Sequence, residues 1–199
     1  MPAQAAPNAG SVLRRKPLRR WVAARLASGT GSMMLRAVFL WQLYDITKST
    51  TMLGLLGVVS FLPGPLASLS GGLVADTFER KRVVMAAQTV GLAAALGLVS
   101  CSVLGAKNPW LLMAFVVLSS AAFAFESPAR QALLPSLVPK EEFSRAVTVM
   151  GTAQSLAMMS GPALGGALIA TTSVTAAYAT SAGLFVASIL LVSGIEARF

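Results

Sequence analysis

Long apolar runs alternate with short polar turns along almost the whole chain. They give six candidate spans, at about 21 to 44, 52 to 75, 82 to 104, 109 to 126, 144 to 170 and 174 to 195. A helix needs about 20 residues to cross the hydrocarbon of a bilayer, and five of these runs reach that length easily. The fourth is the shortest, but Trp110 at its start suits a membrane interface. At this segment length only helices satisfy their backbone hydrogen bonds in lipid, so the expected fold class is an all-α membrane protein. Residues 1 to 20 form a basic tail ahead of the bundle, and residues 196 to 199 a short end behind it.

Composition sharpens this picture. Of 199 residues, 55% are hydrophobic and only 12% charged, with a mean hydropathy of +0.72. A soluble domain carries about twice that charged fraction, so lipid has to cover much of the apolar surface. The net charge of +9 lies at the ends of the apolar runs rather than on one amphipathic face, which argues against nucleic acid as a partner. Cys101 is the single cysteine, sits in an apolar run and reads as a small core residue. The absence of histidine removes Ser-His and Cys-His catalysis and any His-ligated metal. No catalytic residue, metal ligand or cofactor is therefore assigned.

Threading six spans puts Arg14 to Arg25, Arg80, Lys81, Arg82, Arg130, Lys140, Arg145 and Arg198 on one side. Lys48 and Lys107 fall on the other. Basic residues are retained on the cytoplasmic face, so both termini are expected there, in a multi-pass protein of the plasma (inner) membrane. The longest internal loop, Ser127 to Arg145, holds Pro128, Pro135 and Pro139, which are expected to prevent one continuous helix. Between them, Leu133, Leu134, Leu137 and Val138 suggest a short interfacial element, and Glu141 and Glu142 mark the start of the fifth helix.

Two stretches carry more specific signals. From Gly71 to Val84 the chain reads Gly-Gly-Leu-Val-Ala-Asp-Thr-Phe-Glu-Arg-Lys-Arg-Val-Val, a turn short enough to force its flanking spans into an antiparallel hairpin. Asp76 and Arg80 stand i to i+4, within reach on a helical turn. In the fifth run, Ser160-Gly-Pro-Ala-Leu-Gly-Gly166 places a helix-kinking Pro162 beside Gly161, Gly165 and Gly166, which permit close backbone approach. From the residues alone this is either ordinary helix packing or a functional kink.

The first stretch resembles the signature loop of the major facilitator superfamily, Gly-x-Leu-Ala-Asp-Arg-x-Gly-Arg-Lys. Gly72, Ala75, Asp76, Arg80 and Lys81 match it, while Thr77 replaces the usual Arg and Glu79 the usual Gly. The acid at Glu79 is similar to the enterobactin-exporter-like branch, which moves drugs and siderophores. Pro128 to Pro139 with Glu141, and Gly31 to Ser49 with Tyr44, Thr47 and Ser49, resemble that branch as well. Ser160 to Gly166 is similar to the core of the superfamily's antiporter motif, with Ala157 replacing an upstream glycine of the full pattern.

The resemblance implies one half (a 3+3 repeat) of a twelve-span fold, with spans one and four lining a central cavity and two and five facing the other half. It implies secondary active efflux of a small organic molecule by alternating access. Gly72, Asp76, Arg80 and Lys81 would form the conformational-switch loop, and Gly161, Pro162, Gly165 and Gly166 the antiporter-like kink. The expected partners are the bilayer, a small-molecule substrate and a second six-span half. That half is a separate chain, a missing C-terminal part or a second copy. The rival is a non-transporting interaction or regulatory subunit, or a truncated half-transporter. A membrane enzyme ranks below both, since paired intramembrane carboxylates and a phosphate-cradling loop are lacking.

Arg36 stands past the middle of the first span. A charge there costs about 2.5 to 3.5 kcal/mol, so it is expected to face a wet cavity or a paired acid, as a substrate-cavity residue attracting an anionic group; the alternative is that it snorkels outward or hydrogen-bonds helix backbone. Asp45 and Glu126 are both placed at span ends, which leaves no carboxylate expected mid-membrane.

Overall fold

The computed structural model describes residues 16–65 and 79–195. Among these residues the chain is almost wholly helical, with six delimited α-helices, a further helical stretch at 63–65 and two short 3-10 turns. The six are α1 (Lys16–Thr47), α2 (Thr50–Phe61), α3 (Arg80–Val103), α4 (Pro109–Leu133), α5 (Phe143–Thr171) and α6 (Val174–Ser193). Three are long and apolar enough to cross a membrane: Arg80–Val103, Pro109–Ser136 (which takes in the turn after α4) and Val174–Ser193. The later part of the second expected span, with Gly72 and Asp76, lies outside the described residues, as do most of the basic tail and the C-terminal end.

Small polar residues set the helix boundaries. Ser49 caps α2 by accepting from the Met52 amide, Asn108 caps α4 by accepting from Trp110 and Leu111, and Ser173 caps α6 by accepting from Ala176. Pro109 fits the first turn of α4, where its missing N–H is no loss. Between α1 and α2, Lys48 adopts the left-handed conformation (φ 50°). Its ammonium donates to Asp45 at 2.6 Å, which helps hold the turn.

One expectation is corrected here. The fourth helix does not end at residue 126: it runs through Pro128 to Leu133, and the chain breaks at Leu134–Ser136 instead. Pro128 has no N–H to donate back along the helix, but one lost bond does not terminate a helix whose flanks are packed. Arg80 caps the extension from outside, its Nη1 donating to the Ala132 carbonyl at 2.7 Å.

The helix α1 is the centre of the bundle. It packs along α5 on one side and α6 on another, while α3 packs against α4 and α6. The α1–α5 seam is a small-residue contact. A Cβ on Gly161 would lie 2.5 Å from Met33 Cβ and 2.8 Å from the Met34 amide nitrogen, and one on Gly29 would lie 2.9 Å from Ala157. Close backbone approach of this kind replaces the hydrophobic drive that lipid removes. Side-chain hydrogen bonds tie the helices further: Thr30 to Ser160 at 3.1 Å, Tyr178 to Gln42 at 2.6 Å, Ser102 to Thr175 at 2.6 Å, and Ser188 to the Ala24 carbonyl at 2.8 Å.

Candidate functional site: a buried charge cluster beside a cleft

Because α4 continues past residue 126, Glu126 is inside a helix and Arg130 lies one turn further on the same face. Both are about 3% exposed. The Glu126 carboxylate accepts from Arg130 Nη2 and, at 3.1 Å, from Gln88 Nε2 on α3. The same Arg130 nitrogen donates to Ser28 Oγ on α1 at 3.2 Å, and the guanidinium lies 4.7 Å from the centre of the Trp21 ring. Next to this pair, Arg25 of α1 stacks 5.6 Å from the centre of the Phe123 ring. Three helices thus converge on one carboxylate and two guanidiniums.

The balance of this cluster is uneven. Taking an ion out of water costs several kcal/mol, recovered only when its partners are close and its remaining donors are satisfied. Glu126 meets that condition. Arg130 Nε and Nη1, Arg25 Nη1 and, across the gap on α5, Gln154 Oε1 are buried and have no hydrogen-bond partner among the described residues. These side chains line a partly open cavity of about 370 Å³ between α1, α4 and α5, together with Leu134, Phe143 and Met150. It is an electropositive pocket in an apolar bundle.

The sequence-derived site residues are distributed unevenly around it. Arg36 is exposed on α1. It follows Arg25 by a spacing that brings the two to nearly the same side of the helix, since successive residues turn by about 100°. In the stretch expected to form a switch loop, Arg80 binds α4, and Lys81 clamps the end of α6, donating to the Ser193 carbonyl at 2.9 Å and that of Ile195 at 2.6 Å. Gly72 and Asp76 are outside the described residues. In the fifth helix, Gly161 and Gly165 face α1, whereas Pro162 and Gly166 are exposed, with open space beside Gly166. The kink residues therefore divide between an internal seam and an outer face.

Arg25, Glu126, Arg130, Gln88 and Gln154 were not singled out from sequence as one site. Arg25 reads as the last residue of a basic end-group, and Arg130 as loop charge. The available signal was an acid and a base four apart, Glu126 and Arg130, at the edge of an apolar run. Pro128 between them masked it.

The transmembrane secretion effector family model (MFS_3) matches residues 8–197. Among individual proteins, the chain is 26% identical to macrolide efflux protein A of Streptococcus pyogenes, over 79% of this chain and 39% of the relative. It is 28% identical to the multidrug efflux pump Tap of Mycobacterium bovis, over 87% and 42%. It is also 27% identical to the MFS-type transporter YfiS of Bacillus subtilis, over 89% and 42%. The chain thus spans about two fifths of the length of these curated relatives. With the match running nearly end to end over an all-helical, apolar bundle, the chain belongs to the transmembrane secretion effector family of membrane proteins.

Proposed function

We propose that the chain is one six-span half of a secondary active exporter that moves a small organic molecule by alternating access. The observation that carries this reading is the charged cluster of Glu126, Arg130 and Arg25 inside an apolar bundle, open to a cleft on α1, α4 and α5. Ionisable groups buried in such a bundle are expensive and mark ion or substrate routes. The functions of the relatives, macrolide and multidrug efflux, support export as the direction. The likeness to the enterobactin-exporter branch extends the substrate range to siderophores.

In this reading a second six-span half, on a separate chain, in a C-terminal continuation or as a second copy, closes the cleft from the other side. The exposed face of α5, with Met158, Met159 and Leu164, offers that half an apolar surface. The helix ends bearing Arg80, Lys81 and Arg82 lie in the cytoplasm with both termini, and the loop from Gly72 to Lys81 switches conformation as the halves rock. Alkaline phosphatase fused at Lys107 is then active and at Arg82 inactive.

The deciding experiment measures accumulation of the macrolide erythromycin and of a carboxylate-bearing dye, fluorescein, in an efflux-deficient host. The chain is expressed alone and with a six-span partner from an adjoining reading frame. Lower accumulation with the chain present, abolished by dissipating the proton gradient, is the expected result. Unchanged accumulation in every combination would favour a non-transporting membrane subunit.

A further inference from the structure

The cavity between α1, α4 and α5 has a charge preference built into it. Among the described residues, two guanidiniums face one carboxylate, so the cluster holds excess positive charge. Arg130 is 3% exposed and keeps Nε and Nη1 unpartnered, and Arg25 keeps Nη1 unpartnered, while both line the cavity. Gln154 stands on the α5 wall with its amide oxygen buried and unpaired, and its side-chain amide supplies an N–H donor. Further along α1, Arg36 repeats the positive charge. Eleven residues at about 100° and 1.5 Å each bring it within about 20° of Arg25 and roughly 16 Å away. Arg36 is exposed and lies outside the cavity lining, separated from Arg25 by the close α1–α5 seam at Gly29 and Met33.

A buried guanidinium with unpartnered donors is matched best by a planar or tetrahedral oxyanion, which takes two parallel N–H bonds from one fork. A cationic group there would meet two like charges at close range. The cavity volume, about 370 Å³, exceeds that of a carboxylate or phosphate alone and is in the range of pockets for drug-sized ligands. We propose that this cavity binds the carboxylate or phosphate group of a larger molecule, with Arg25 and Arg130 as the forks and Gln154 as a third contact. Cargo status for that molecule rests on the transport reading; the binding itself does not.

Trp21 supplies a reporter, because its ring lies under the Arg130 guanidinium. In a Trp41→Phe, Trp110→Phe background Trp21 is the remaining tryptophan. The purified chain, in phosphatidylcholine nanodiscs at constant ionic strength, is titrated with sodium benzoate, with inorganic phosphate and with choline chloride as the cationic control. Benzoate or phosphate is expected to change Trp21 fluorescence saturably, and choline not. Arg25→Gln should raise the half-saturation concentration about tenfold, the loss of one charge-assisted contact, and Arg25→Lys less. Arg82→Gln, outside the cavity, should leave it unchanged.

A merely structural Arg25 predicts the opposite pattern: Arg25→Gln lowers the unfolding temperature without probe and leaves the titration alone. Should Arg25→Gln fail to fold, Gln154→Ala takes its place, with a smaller rise in half-saturation. Nanodiscs containing phosphatidylglycerol separate the two sources of oxyanion. An Arg25-dependent fluorescence shift without added probe assigns the site to a lipid headgroup, and its absence assigns it to a soluble molecule. No saturable anion response in either lipid, or one indifferent to both Arg25 and Gln154, overturns the site. If binding holds while cells show no export, the transport reading fails and the anion site stands.

Discussion

The helix α1 makes two contacts of opposite character. Against α5 it presents Gly29, Thr30, Met33 and Met34 to Ala157, Gly161 and Gly165, with backbones so close that a single methyl group does not fit. Against α4 it presents Trp21, Arg25 and Ser28 to Phe123, Glu126 and Arg130, with buried charge and unused donors. The first contact is filled and leaves nothing over. The second is filled on the Glu126 side only and opens into a cavity. In a bilayer, where apolar burial drives no helix association, the seam holds the bundle together. That leaves the charged contact free to be optimised for something other than stability.

The largest expected effect comes from the charged contact. Glu126→Gln removes the one carboxylate and leaves Arg130 buried without a counter-charge, at a cost of about 3 to 5 kcal/mol. Reaction of the buried Cys101 with a thiol dye during a thermal ramp reads the unfolding directly. Restoring packing without charge, as in Glu126→Leu with Arg130→Met, should recover most of the loss. A single mutant that melts like the parent would mean the pair is not desolvated.

Next comes the seam. Gly161→Ala overpacks it against Met33 and the α1 backbone and should destabilise by about 1 to 3 kcal/mol. Gly166→Ala, five residues on and facing open space, should be neutral or stabilising by up to about 1 kcal/mol through helix propensity. Equal effects at the two glycines in the same thermal assay would erase the distinction between inner seam and outer face. The smallest effect is expected at Thr30→Val. It loses the hydrogen bond to Ser160 and, judging from interhelical bonds in membranes, about 0.6 kcal/mol. A loss of several kcal/mol there would show the seam to depend on polar contacts rather than on close approach.

Sequence patterning reached the helical class and the small-residue character of the fifth helix, because apolar period and glycine spacing are local properties. It misplaced the end of α4. Three prolines within Ser127 to Arg145 look alike in one dimension. Pro128 is nevertheless carried inside a helix supported by Arg80, while the chain breaks around Pro135. That misplacement hid the site, since Glu126 at a helix end is an ordinary surface acid and Glu126 inside one needs Arg130, Gln88 and Ser28 around it. Arg36 was legible as an anomaly from depth alone, but only the structure places it outside the cavity that Arg25 lines.

By itself the sequence determined that this chain is a bundle of apolar helices with basic residues gathered at one set of helix ends, because hydropathy and charge act residue by residue. Only the tertiary structure decided which charges meet. Glu126, Gln88, Arg25 and Gln154 come from four different helices, and no periodicity within one helix encodes the distance to another. The same holds for Gly161 and Gly166: both are glycines on one helix, and their neighbours alone make one a packing contact and the other open surface.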